Sequence, residues 1–360
     1  MGIYPGEDKK TGIESPFLMQ TLMTPGIRSN SVATLVVSTM AICTSPLIYA
    51  AQPHYVLKTR NMNPFDIMYY AGGPQSVDVL AQGQFATSLS LSTSNNSITS
   101  SSHGEIITID GESYVTDIEL RYGLMNNLDI GARVPLIYHT QGYFDNFIES
   151  WHDLFGFSNS RRDTFPSNQL KYEYVDNGVT LVSLTQKESG IGDVTINAKY
   201  RLPGSDSDTL SAAVVAGFKL PTGDAGKLTG SDAVDANVSV HLSELRWLSS
   251  INTRFYGGAG ISFLGDGKVL AERQNNTHYS IYLGAAWSIK PHLNAIAQLD
   301  YQSAFYRSEL DQLGKNSTQL YIGGSYLADS SLQYDFGLGE NLYTDGTPDF
   351  LLYFSVTIPH

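Results

Sequence analysis

Cysteine is all but missing: Cys43 is the one thiol in 360 residues, and it lies in a stretch that reads as cleaved off. A mature chain without cysteine has neither a disulfide framework nor a thiolate metal cluster. Charge is scarce too. Asp, Glu, Lys and Arg together make 16% of the chain, against about a quarter in an ordinary soluble domain. Basic excess is lacking, since 22 Lys and Arg face 35 Asp and Glu for a formal net charge of −13. That argues against a nucleic-acid partner, which wants a basic footprint. No apolar run beyond the N-terminal region is long enough for a membrane helix. Paired-His metal spacing and a Gly-rich phosphate loop opening a helix are also missing, so no cofactor and no metal are expected.

What is abundant is Gly (33) and Tyr (22), with hydrophobic residues at 42%. Low charge without high hydrophobicity suits many short strands of alternating polarity with aromatic girdles. At the N-terminus, Arg28 precedes an apolar run over residues 32–50, closed by Ala50, Ala51 and Gln52. A positive flank, an apolar core and small residues before a cut site read as a secretory signal peptide. The other reading, a membrane anchor, is opposed by Ser38, Thr39, Thr44, Ser45 and Pro46, which interrupt a run already marginal for about 20 apolar residues. Residues 1–51 are therefore expected to be a signal peptide with an over-long start. Residues 52–76, rich in Pro and Gly, are expected to be an irregular lead-in or plug. Residues 77–360 are expected to form the folded domain.

From residue 77 onward, period-two alternation dominates. Twelve strands are expected, at about 77–93, 114–124, 128–138, 189–202, 212–220, 234–243, 253–263, 279–289, 293–302, 318–326, 332–338 and 349–358. In the fourth, Val194, Ile196, Ala198, Tyr200 and Leu202 share one face; Asp193, Thr195, Asn197, Lys199 and Arg201 share the other. Connections alternate in length. Those after the second, fourth, eighth and tenth strands are tight; those at 94–113, 140–190, 221–232, 264–278 and 307–317 are longer. Short turns on one side and longer loops on the other are the habit of outer-membrane barrels. A soluble sandwich would have polar outer faces and protected edges. Here the oily faces carry Tyr200, Trp287, Tyr301 and Tyr326 near strand ends, as interfacial girdles do. The fold expected is all-β: a transmembrane antiparallel β-barrel of about twelve strands, with short periplasmic turns and longer outer loops. Its oily faces then meet lipid and its polar faces a lumen.

SGIGDVTINAKYRL (residues 189–202), followed by AGFKLPTG (216–223), resembles the adjacent strand pair of uncharacterised Gram-negative outer-membrane barrels, some of them assigned as transporters of aromatic-degradation pathways. RNMNPF (60–65) is similar to a family known only as a domain of unknown function. The resemblance implies an outer-membrane barrel and carries over no catalytic residue. Many such barrels end on Phe, which the barrel-assembly machinery reads; this chain ends Ile358-Pro359-His360. The partners implied are outer-membrane lipid and lipopolysaccharide, the assembly machinery and a small-molecule solute.

The expected lumen-lining residues are Asp117, Glu119, Arg121, Asp129, Arg133, Asp193, Lys199, Arg201, Lys219, Asp235, His241, Arg254, Asp300 and Asp335. They read either as a selectivity lining or as an ion-pair network filling the interior, because unpaired charge in a low-dielectric lumen is expensive. Eight strands leave an interior filled by side chains and sixteen leave an aqueous channel; twelve fall between. The function expected is a narrow channel or transporter for a small solute, gated by residues 140–190. The alternative is a non-conducting structural or surface barrel. Catalysis is not expected. His241 and Ser243 share a face, but residues two apart do not make a nucleophile–base pair, and His139 and His152 lack a serine motif. Gly257-Gly258 and Gly323-Gly324 are expected to let strands curve or pack closely. An amphipathic piece at 144–155 is expected to form a short helix that folds into the pore mouth or lies over it; the other reading is a loop packing on its own rim.

Overall fold

The computed structural model describes residues 55–69, 72–142, 169–204, 210–243, 252–328, 332–342, 348 and 350–360. The signal-peptide reading, the helix expected at 144–155 and His152 fall outside them.

Alternating sequence becomes strand throughout: β1 (Phe85–Ser102), β2 (Glu105–Met125), β3 (Leu128–Thr140), β4 (Lys171–Asp176), β5 (Val179–Leu184), β6 (Glu188–Ile191), β7 (Thr195–Arg201) and β8 (Ser211–Lys219). The series continues with β9 (Asp235–Ser243), β10 (Thr253–Phe263), β11 (Thr277–Lys290), β12 (Leu293–Gln302), β13 (Ser317–Leu327), β14 (Gln333–Asn341) and β15 (Phe350–Pro359). Neighbours pair antiparallel, and β15 returns to β1 with Ala86 opposite Pro359 and Asn95 opposite Phe350. The sheet therefore has no free edge across the wall. β3 pairs β7 along Leu128–Arg133 and β6 along Leu136–His139, so β6 and β7 are one wall strand broken at residues 192–194. The result is a closed antiparallel barrel of twelve wall strands. Closure is what a membrane demands, since an open edge would leave backbone polar groups in hydrocarbon.

The faces follow the alternation. Ile196 and Leu283 are 49% and 63% exposed on the outside, while Lys199 and Asp129 are 2% and 0% exposed on the inside. Trp287, Tyr200 and Tyr326 stand on the outer face. Several inward tyrosines lie flat against the wall where a neighbouring strand has glycine. A Cβ on Gly284 would sit 2.1 Å from the Tyr256 ring, and one on Gly258 would sit 2.5 Å from the Tyr282 ring. Close packing, one of the two roles expected for Gly258, is what it does.

Three expectations change. The first strand starts at Phe85 rather than near residue 77; residues 77–80 alternate in polarity but run inside the barrel, with Asp78 and Leu80 bonded to wall side chains. The long loop expected at 94–113 is instead β-hairpin. Asn95–Ser102 pair Glu105–Glu112, and the two-residue turn is His103-Gly104, both at positive φ (45° and 86°), the turn whose twist suits a hairpin. Ser, Thr and Asn had marked this stretch as loop, but paired hydroxyls and amides satisfy it, as in Asn95 Nδ2 to Glu112 Oε1 at 3.1 Å. The connection at 140–190 holds β4, β5 and β6. β4 extends the outer half of β2, and β5 closes on β4 through the Asn177-Gly178 turn, again at positive φ.

Beyond the wall, the loop end carries its own apolar core. Ile107, Ile109, Tyr172 and Tyr174 of the β2–β4 extension pack with Leu228, Leu264, Leu270, Phe305, Leu310 and Leu313 of the long connections, and with Phe65, Met68 and Tyr69.

Ile196→Arg is expected to lower the unfolding midpoint of the micelle-bound barrel by about 2–4 kcal/mol in stability, the cost of a guanidinium at the bilayer midplane. Gly284→Val, which drives a branched side chain into the Tyr256 ring, is expected to destabilise by about 1–3 kcal/mol as overpacking. Denaturant titration followed by gel mobility of unheated samples reads both.

Candidate functional site: the occupied lumen

Residues 55–69 and 72–80 occupy the barrel interior, and residues 81–84 lead from them to β1 at the short-turn end. Two legs run along the wall, and the turn between them sits in the loop-end core. At the short-turn end, the Arg254 guanidinium stacks over the Tyr55 ring at 4.6 Å. Higher up, Gln298 brackets Leu57: its Nε2 donates to the Leu57 carbonyl (3.0 Å), and Leu57 N–H donates to Oε1 (3.2 Å). Lys58 pairs with Glu119, and the Thr59 hydroxyl donates to Asp300. Tyr321 OH donates to the Arg60 carbonyl at 3.2 Å.

The tip is RNMNPFD, whose turn is made locally. Asn63 N–H donates to Asn61 Oδ1 (2.9 Å), Phe65 N–H donates to Asn63 Oδ1 (3.0 Å), and the Asn61 amide donates to Asp66 (2.7 Å). Burial of Asp66 at the loop end pushes its carboxyl well above the ordinary range, and the Asn61 amide pulls it partly back. Tyr306 OH donates to the Phe65 carbonyl at 3.0 Å. Tyr69 stacks on Phe305 with centroids 4.9 Å apart.

The returning leg is held as the outgoing one is. Lys219 Nζ donates to the Met68 carbonyl (3.1 Å), and Tyr282 OH to that of Gln75 (2.9 Å). Lys199 Nζ donates to the carbonyls of Ser76 (3.0 Å) and Asp78 (3.1 Å), Arg121 Nη2 also donates to Asp78 (2.9 Å), and Leu80 N–H donates to Asp129 (3.1 Å). Gly72, at φ +59°, passes so near Asn237 that a Cβ would lie 2.2 Å from its amide.

Eleven of the thirteen charged residues singled out from the sequence fall into four groups; Arg254, on Tyr55, and Arg201 stand apart. Asp193, Lys219 and Asp235 form a buried cluster, with Lys219 Nζ 2.7 Å from Asp193 and 3.1 Å from Asp235. Arg121 pairs with Asp129 beside Lys199. Asp117 lies between Arg60 (3.9 Å) and Arg133 (3.8 Å), with Glu119 nearby on Lys58. Asp300 and Asp335 accept from side chains, Asp335 from Ser355 and Gln333 at 2.8 Å each. His241 sits between Ser239 Oγ and Tyr282 OH, both at 2.8 Å. Arg201 is half-buried at the short-turn end of β7, where its backbone N–H donates to the Asn127 carbonyl. His139 meets Ser113 Oγ at 2.9 Å, but both are 0% exposed and the other imidazole nitrogen faces the Leu228 carbonyl; that contact is packing, closed to any substrate.

Gln298, Tyr282, Tyr306 and Tyr321 were not expected from the sequence. They capture backbone groups, and a side chain that bonds a backbone leaves no pattern in residue identities. The one available signal was an inward Tyr or Gln on a face otherwise lined by small or charged residues.

A family model described as a protein of unknown function, DUF3187, matches residues 33–358. The chain belongs to the DUF3187 family. No curated protein matches it. Among solved structures, an outer-membrane channel of Pseudomonas putida F1 matches this DUF3187 protein at 13% identity, covering 80% of this chain and 99% of that one with a TM-score of 0.51. The Ralstonia pickettii toluene transporter TbuX covers 78% of this chain and 90% of its own at 10% identity, with a TM-score of 0.37 that carries no argument. The first likeness shows a shared barrel fold.

Replacing Lys219 with Met in the DUF3187 barrel removes the cation between two buried carboxylates and frees the Met68 carbonyl. Loss of one partner from such a cluster costs about 3–5 kcal/mol. Chemical denaturation in micelles is expected to show it, along with faster proteolysis between residues 60 and 76.

Proposed function

We propose that this DUF3187 protein is an outer-membrane channel for a small solute in a Gram-negative envelope, closed here by its own residues 55–84. One observation carries the reading: the wall side chains do not fill the interior alone, and an irregular segment of the chain occupies the rest. A barrel built only as a scaffold can be narrow enough for its side chains to fill it, as eight strands are. Twelve strands enclose more than that, and plugged lumens are a feature of transporting barrels. The segment is held by side-chain hydrogen bonds and a few ion pairs, contacts that exchange with water at modest net cost, and by Val56, Leu57, Met62 and Ile67 packed among wall residues such as Val115, Ile296 and Tyr353. The P. putida relative, described as an outer-membrane channel, supports the reading through its fold. The gate assigned here is residues 55–84 rather than 140–190. Charges on the wall provide the selectivity.

A non-conducting barrel is the second reading, and the loop-end core favours it. Phe65, Met68 and Tyr69 are buried in that core, so opening must break apolar contacts as well as polar ones.

Single-channel recording in planar bilayers decides between them. The intact protein is expected to be mostly closed, and a variant lacking residues 55–76 is expected to give steady ohmic openings. A deletion variant that inserts, keeps barrel mobility on gels and never opens removes the channel reading.

A further inference from the structure

The wall is not filled evenly. On β10–β13 the inward side chains are bulky, Tyr256, Tyr282, Gln298 and Tyr321, and the outgoing leg lies against them. On β1, β15 and β7 small hydroxyls, Ser88, Ser90, Ser355, Thr357 and Thr195, line the interior beside Asn197 and Tyr353. There a cavity of about 80 Å³ remains between wall and segment. At about 10–15 Å³ for each water, it holds several.

The cavity's charged end is unusual. Arg60 and Arg133 approach the same oxygen of Asp117, at 3.9 and 3.8 Å. Neither distance makes a hydrogen bond. Arg60 Nη1, Arg133 Nε and Asp117 Oδ1 are all buried with no hydrogen-bond partner among the described residues. All three side chains line the cavity, so this unused hydrogen-bonding capacity is met by a guest there, water or a small solute, once the side chains turn toward it. Among the described residues, the charged side chains that line the cavity are Lys58, Arg60 and Arg133 against Asp117, Glu119 and Asp335, which sums to zero. A guest with net charge would lose its hydration without a compensating field, whereas one with several hydroxyls finds donors and acceptors on all sides.

Taking the channel reading as its basis, we infer that this cavity is the solute site, and that it takes small uncharged polyhydroxylated molecules, with Arg60, Asp117 and Arg133 as the specificity-determining group. Asp117 balances the two guanidiniums; without it the site carries a net positive charge and favours anions.

The test compares two four-carbon solutes of similar size, erythritol (neutral) and sodium threonate (an anion), by swelling of proteoliposomes holding the full mature chain, with protein-free liposomes subtracted. With the segment in place and the protein mostly closed, wild type is expected to admit erythritol slowly along the cavity, yet at least about tenfold faster than threonate, the desolvation of one charge costing no less than that. Asp117→Asn, which keeps shape and removes one charge, is expected to raise threonate entry about tenfold through the uncompensated guanidinium. Ser90→Phe fills the hydroxyl-lined side and is expected to cut erythritol entry; should it not assemble, Asp117→Asn decides. Equal entry of the two solutes into wild type, or a ratio unmoved by Asp117→Asn, overturns the inference. The deletion of residues 55–76 separates the two claims. If that variant admits both solutes while wild type shows no preference, the site assignment alone fails. If the deleted barrel admits neither, the channel reading fails with it.

Discussion

A peptide inside a barrel has no ladder to join, and every buried N–H and C=O must still find a partner. The interior of this protein is organised around that constraint. Residues 57–69 and 72–80 lie in the lumen without becoming a strand, and the wall supplies their partners one at a time: the Gln298 amide for both backbone groups of Leu57, Tyr321 for Arg60, Tyr306 for Phe65, Lys219 for Met68, Tyr282 for Gln75, Lys199 and Arg121 for Asp78, and Asp129 for Leu80. Luminal cations therefore do two jobs. Lys219 and Arg121 neutralise wall carboxylates and also donate to segment carbonyls. Their charge need not be matched by charge on the segment, which is why a chain with few ionisable residues can still hold its plug.

The same economy shapes the outside. Hydrocarbon accepts no hydrogen bonds, so the outer face carries aliphatic and aromatic residues and the polarity is turned inward. The strand pattern of Ile196 and Tyr200 against Thr195, Asn197 and Lys199 is that division written in sequence. It was fully legible because period two is fixed by strand geometry and the two solvents differ so strongly. Eleven of the twelve expected wall strands lie close to where alternation placed them. The exception, at 77–93, shows what alternation alone cannot say: Val77, Val79 and the residues between them alternate as a strand would, yet they meet side chains of the lumen instead of a neighbouring backbone.

The loop end was far less readable. Residues 94–113 look like loop by composition, since Ser, Thr and Asn usually compete with regular structure for backbone bonds. In the hairpin, cross-strand pairs such as Thr99 Oγ1 to Thr108 Oγ1 at 3.1 Å absorb them. Nor could the sequence assign Ile107, Tyr172, Leu270 and Phe305 to one core, because they come from connections far apart in the chain. Of the candidate site, the charged residues were visible as types on inward faces. The segment they hold was visible as irregular, and its partners were not visible at all.

The quoted stretches SGIGD and KLPTG gain a physical reason for standing together. Asp193 lies in the break between β6 and β7, and its carboxylate accepts from Gly223 N–H (2.8 Å), Ser231 N–H (2.9 Å) and Lys219 Nζ (2.7 Å). Gly223 and Gly230 approach so closely that a Cβ on either would lie 2.6 Å from the other's Cα. Thr222 completes the repair, its hydroxyl donating to the Gly192 carbonyl (2.7 Å) and accepting from Val194 N–H (2.9 Å). The two motifs are thus halves of one staple that closes an interrupted wall strand, pins the β8–β9 connection and, through Lys219, reaches the tip of the luminal segment. A wall break, an outer loop and the plug are held by one carboxylate. Any movement of Met68 away from Lys219 must leave Lys219 to share its three donors among wall groups alone, so the state of the plug is felt directly at the break between β6 and β7.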